Sequence, residues 1–277
     1  MATTSGEILG TGSPQLIGNA KPTIAQVIDR WIYVIMAAWF VVTALVGFVP
    51  RSIGKVMAIQ AGAMPPLPPV LHVHAALMGS WLLLLLTQTT MMARGKRSFH
   101  MQLGVAGMIL APAMVATGFV LVPTMVQYNW ALIPVTPSDL LPWGVERTQK
   151  FLSSLVAAQI SAGVLFAVFV AWAMLVRRTD SGMHKRLLIL ATAIPLPAAI
   201  DRIAWLPTSY PESPLSPLGS PILWIMPMFL WDLARLRRVH RAYVAWFAIY
   251  LPCAAVVYML WWSPGWIATA QRLVGVA

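Results

Sequence analysis

Three of the five histidines in this chain share a setting. His100 lies in "ARGKRSFHMQLG", His184 in "RRTDSGMHKRLL" and His240 in "RLRRVHRAYV". Each follows arginines and opens an apolar run. A neutral imidazole there can ligate a transition metal, hold haem iron or accept a proton. Alternatively, each is satisfied by a phosphate, a backbone carbonyl or water beside the arginines. His100 also shares a helical face with Gly104, Gly107, Ala111 and Gly118. Small residues at that spacing admit a close neighbour helix, so His100 is expected in a seam rather than against lipid.

His72 and His74 form a His-x-His pair in "VLHVHAALMG". An extended pair could chelate copper or zinc. In a helix the two side chains diverge by about 200°. His74 then shares a stripe with Met78, Trp81, Leu85, Gln88 and Met92. Lipid satisfies neither histidine nor glutamine, so His74 and Gln88 are expected to face the interior. There His74 is hydrogen-bonded, or serves as a haem ligand or proton relay. A bis-histidine haem b needs both ligands at one depth, which His100, His184 and His240 offer and His74 does not.

The carboxylates offer a different chemistry. In "ATAIPLPAAIDRIAW" the prolines Pro195 and Pro197 break backbone hydrogen bonding ahead of Asp201 and Arg202. Glu146, Arg147, Gln149 and Gln159 should reach comparable depth, making a charge network that braces helices or binds an anion. Asp232 has Arg235 three residues on as a helical partner.

The elements that position these residues follow from apolarity. The chain has 277 residues, 59% hydrophobic and only 10% charged. Soluble domains carry about a quarter charged residues, so an all-α integral membrane bundle is expected. Seven apolar segments stand at 31–49, 70–92, 101–122, 151–176, 187–206, 221–236 and 242–262. The sixth is short and contains Pro227 and Asp232; without it the count is six. A tail over 1–30 would precede the transmembrane domain 31–262, and a short tail over 263–277 would follow.

Charge sets orientation. With the N-terminus cytoplasmic, thirteen of the nineteen Lys and Arg residues fall on the inner side. The net charge of +11 sits in short turns. It therefore points to anionic lipid headgroups at the inner face, with membrane proteins as further partners and no nucleic acid. The other connections are long and proline-rich, as in "PPLPP" and "PTSYPESPLSP". One cysteine excludes an internal disulfide, and no span centre carries a lysine for a retinal Schiff base. Phosphate-binding and nucleophile-elbow motifs are missing.

The order of these motifs resembles a family of bacterial polytopic membrane proteins with no established activity. The likeness runs over residues 70–242: "HVHAALMGSWLLLLLTQT", then Arg94, His100 and Gly104, then "HKRLLILATA", Asp201-Arg202 and "WDLARLRRVH". It implies a multi-pass protein of the bacterial inner (cytoplasmic) membrane. Members often carry an arginine in the last helix, whereas here "WFAIYLPCAAVVYMLWW" has none.

Three functions are expected from the residues. The first is a membrane-embedded haem- or metal-binding redox protein using His74, His100, His184 and His240. The second is a small-molecule or ion transporter centred on the broken helix, Asp201 and Arg202. The third is a structural subunit of a membrane complex. No catalytic residue and no protein-only metal site is assigned.

Overall fold

The computed structural model describes residues 22–137, 141 and 143–277, and among these the regular structure is helical throughout. The helices are α1 (Ile24–Gln60), α2 (Pro69–Ala93), α3 (Arg97–Leu132), α4 (Val145–Val176), α5 (Ser181–Ala193), α6 (Pro197–Ile200), α7 (Leu215–Leu236), α8 (Arg241–Leu260) and α9 (Pro264–Val274). Six stretches are long and apolar enough to cross a membrane, namely α1, α2, α3, α4, α5 with α6, and α8.

Local chemistry sets the boundaries. Thr23 and Gln26 form a capping box, so α1 starts at Ile24, inside the segment expected as a tail. Most of that segment, including Lys21, lies outside the described residues. "PPLPP" has no helix-competent backbone until Pro69 takes the first helical position of α2. Gly95, at φ 73°, lets the chain reverse between α2 and α3 in three residues. Pro195 and Pro197 stop α5 at Ala193 and leave α6 as one turn.

Packing arranges six helices around a seventh. α1, α2, α3, α4, α8 and α7 each pack on the next, and α7 closes back on α1. α5 stands in the middle, against α1, α4, α7 and α8. Leu187, Ile189, Leu190 and Ala191 of α5 are fully enclosed, as are Met36, Phe40, Phe169, Ile225, Met228 and Trp246 around them. The α2–α3 hairpin makes no extensive contact with α5. Trp81 of α2 crosses that gap, donating to Thr192 Oγ1 at 3.1 Å.

Large apolar side chains also point outward, among them Ile109, Leu175 and Met259. A core cannot explain those; a hydrocarbon surround does. The chain is a polytopic membrane protein. α7 has 22 residues, long enough for about 33 Å; it packs on α6 and, through Arg235, bonds Asp29 near the start of α1. Residues 264–274, expected as a tail, form α9, which packs across α3 and α4 through Ala270 and Val274.

Candidate functional site at the basic end of the bundle

The turns α2–α3, α4–α5 and α7–α8 gather at one end with the start of α1. Arg30 of α1 donates to the Ala93 carbonyl, and Asp29 accepts from Arg235 at 2.8 Å and from Trp231 Nε1 at 2.9 Å. Asp180 pairs with Arg241. Arginines at this end therefore tie helices together: Arg30 joins α1 to α2, Arg235 joins α7 to α1, and Arg241 joins α8 to the cap of α5.

His100 and His184 both lie at this end, within electrostatic reach of each other. Gln88 closes the group: its backbone carbonyl approaches the His100 ring, and its amide lies 3.8 Å from where a Cβ on Gly104 would stand. The glycine face of α3 is thus its seam with α2. Gly107 faces Leu84 and Gly118 faces His74.

The histidines differ in what their nitrogens do. His184 Nδ1 lies 2.9 Å from the Ala173 carbonyl. A carbonyl only accepts, so Nδ1 carries the proton and the neutral ring keeps its lone pair on Nε2. His100 Nδ1 is buried without a hydrogen-bond partner, and so is Gln88 Oε1. Buried polar atoms of this kind are rare, because each one costs the solvation it lost. α5 and α3 bring these groups together from helices that do not pack closely on each other.

His240 and His74 stand apart. His240 Nδ1 accepts from the Ala242 amide at 3.1 Å and caps α8, which uses that lone pair. Its ring lies toward Gly182 and Asp180 rather than His100. His74 Nδ1 lies 3.2 Å from Thr117 Oγ1. That hydroxyl already donates to the Ala113 carbonyl at 2.9 Å, so the imidazole is the donor. His72 and His74 both lie in helix α2, so they face apart and do not chelate. Among the described residues no three His, Cys, Asp or Glu side chains gather as a metal site.

A buried ion pair adjoins the histidine pair. Arg186 grips Asp232 with two hydrogen bonds, of 2.7 and 2.6 Å, and the Tyr243 hydroxyl donates to the same carboxylate at 2.6 Å. Helical spacing points to Arg235 as the partner of Asp232. The structure corrects this: Arg235 turns outward to Asp29, and Asp232 reaches α5. Tyr33 lies beneath, with Lys185 Nζ 4.5 Å from its ring centre and its own hydroxyl buried without a partner. In the sequence Arg186 is one more cation in a basic turn, and nothing local separates it from the topology signal around it.

Asp201 and Arg202 lie at the far end, beyond the α5–α6 break. Arg202 donates to the Ala198 carbonyl and lies 5.1 Å from the Phe48 ring centre. Among the described residues no ion pair joins Asp201 or Arg202 to α4: Arg147 pairs with Glu212 and Glu146 with Lys150. Burial pushes the Asp201 carboxyl up to about 6, against the pull of Arg202.

Asp180 gives a test of the basic end. Its carboxylate caps α5 through the Met183 amide at 3.0 Å, and that bond, together with Arg241, holds its pKa below the usual 3.8. A depressed acid contributes stability above about pH 4 and loses it as pH falls through the folded value. Asp180→Ala should cost about 1 kcal/mol at pH 7 and flatten the acid limb of a thermal-melt pH series below pH 4. An unchanged acid limb would remove the capping role.

No known family profile, curated protein or solved structure matches this chain.

Proposed function

We propose that this protein is a membrane-embedded haem- or metal-binding redox protein, with His100 and His184 as its ligand pair. The observation that carries this is the pairing of a carbonyl-oriented His184, its Nε2 lone pair unused, with a His100 whose buried Nδ1 lacks a partner. Histidines that ligate metals typically donate their second ring N–H to a carbonyl or carboxylate, which is the Ala173 arrangement. Gln88 Oε1 supplies a third acceptor at the same place. The two imidazoles come from helices that do not pack closely on each other, which suits a group held between helices rather than a closed four-ligand cage. A haem b or a transition-metal ion held there would supply one-electron chemistry. The chain's residues orient the imidazoles and exclude water.

In this reading α7 is a seventh crossing, because it packs on α6 at one end of the bundle and bonds Asp29 of α1 at the other. The basic turns then face the cytoplasm, against anionic headgroups of a bacterial inner membrane, and the proline-rich loops face out. Absorption spectra and metal analysis of the purified protein test the proposal. A Soret band or about one metal per chain should be present in the parent and in His240→Ala. Both signals should disappear in His100→Ala and in His184→Ala. A colourless, metal-free preparation ends the redox reading.

A further inference from the structure

The proline-rich end carries surface clefts remote from the histidine pair. A cleft of about 520 Å³ opens there between Trp143, Glu146, Arg147, Lys150 and Trp262. A neighbouring cleft of about 340 Å³ is lined by Pro264, Ile267 and Ala268 of α9 and shares Lys150 and Trp262. The two are lobes of one groove, charged on one side and mainly apolar on the other, with a lysine and a tryptophan at the divide.

The charged lobe is balanced. Arg147 pairs with Glu212 and Lys150 with Glu146, and all four side chains are at least 46% exposed. Ion pairs so exposed are weak and open readily to a ligand carrying both charges. Tryptophan faces beside them attract an ammonium group. Trp262 itself is held at φ 62°, a backbone region that bulky residues avoid. Its indole donates to the Glu212 carbonyl at 3.0 Å, which fixes the ring at the lobe boundary. Backbone strain retained at a cleft is a mark of binding sites.

We propose that this groove binds one zwitterionic phospholipid. The phosphate lies on Arg147 and Lys150, and the ammonium lies between Glu146, Glu212 and the tryptophans. The glycerol end enters the apolar lobe along α9. A soluble zwitterion would leave the apolar lobe empty, and an anionic headgroup would leave two carboxylates facing like charge. Tryptophans gather at headgroup depth in membrane proteins, which places the groove where such a lipid resides.

Native mass spectrometry of the full chain in detergent tests this, with phosphatidylethanolamine and phosphatidylglycerol added at equal concentration. One phosphatidylethanolamine should be retained at least tenfold over phosphatidylglycerol. The Arg147→Gln/Lys150→Gln pair of substitutions should abolish that preference. Trp262→Gly relieves the positive φ, so it should keep its helical circular dichroism while binding phosphatidylethanolamine at least tenfold more weakly. Equal retention of both lipids, or an unchanged preference in the double variant, overturns the proposal. Free phosphoethanolamine separates the two sources: lipid retained in its excess supports the proposal. Binding of the free headgroup as tight as the lipid's overturns it in favour of a soluble ligand.

Discussion

Arg186→Ala should destabilise the bundle by about 3–5 kcal/mol, the range for removing one partner of a buried ion pair. For a chain of this size that is a fall in melting temperature of roughly 6–20 °C. The reason is the carboxylate left behind. Asp232 is 5% exposed and receives both guanidinium bonds from Arg186, leaving only the Tyr243 hydroxyl once the arginine is gone. A lone phenol does not stabilise an anion buried among α5, α7 and α8. The damage should also be relieved by a second change. Arg186→Met combined with Asp232→Leu removes both charges and should melt closer to the parent than Arg186→Ala alone. Thermal melts in detergent of the three proteins decide it. If Arg186→Ala melts with the parent, the pair is not what holds α7 to α5.

The same pair marks where the sequence was legible and where it was not. Apolar runs of membrane length located α2 and α8 nearly to their ends and α4 at its C-terminal end, six residues short of its start, because hydrocarbon thickness sets a length that composition alone must meet. Pro195 and Pro197 identified the broken helix, since proline's missing N–H acts locally. The spacing of Gly104, Gly107 and Gly118 identified a seam, and the structure names α2 as its partner.

Partnerships between helices were a different matter. Asp232 has Arg235 within reach along its own helix, and local spacing carries no information about a cation 46 residues upstream. The three inner histidines read as one ring because they begin three helices at similar depth. Depth does not give the angle around the bundle. α5 stands at the centre, so it turns His184 toward α3 and Arg186 toward α7 and α8. The α8 cap then occupies the His240 nitrogen that a ligand would need. The tail expected after residue 263 became α9 for a related reason. Its apolar residues are too few for a span, and their value lies in the groove between α3 and α4 that receives them.

Gly47→Ala should be as damaging as a buried charge, although it adds a single methyl group. A Cβ at this position would stand 2.2 Å from the Ala199 carbonyl oxygen and 2.7 Å from its carbon. Those are backbone atoms, and they cannot swing aside as a side chain can. They belong to α6, a single turn that begins at Pro197, with its own Ala199 and Ile200 buried. Overpacking typically costs about 1–3 kcal/mol, and a contact this short against backbone belongs at or above the top of that range. Gly54 supplies the contrast. It lies seven residues further along the same helix with nothing within 4 Å of its added Cβ. There Gly→Ala should stabilise by up to about 1 kcal/mol, through helix propensity alone. One substitution on one helix is thus expected to lower the melting temperature at 47 and to hold or raise it at 54. Parallel melts of the two variants read the difference directly, and equal effects would mean that α1 and α6 do not touch at Gly47. The contact also sets how α6 presents Asp201 and Arg202. Phe48, the neighbour of Gly47 in α1, lies beneath the Arg202 guanidinium at 5.1 Å. Pushing α6 off Gly47 would break that stacking and release the Asp201-Arg202 turn, a loss that Gly54→Ala should not share.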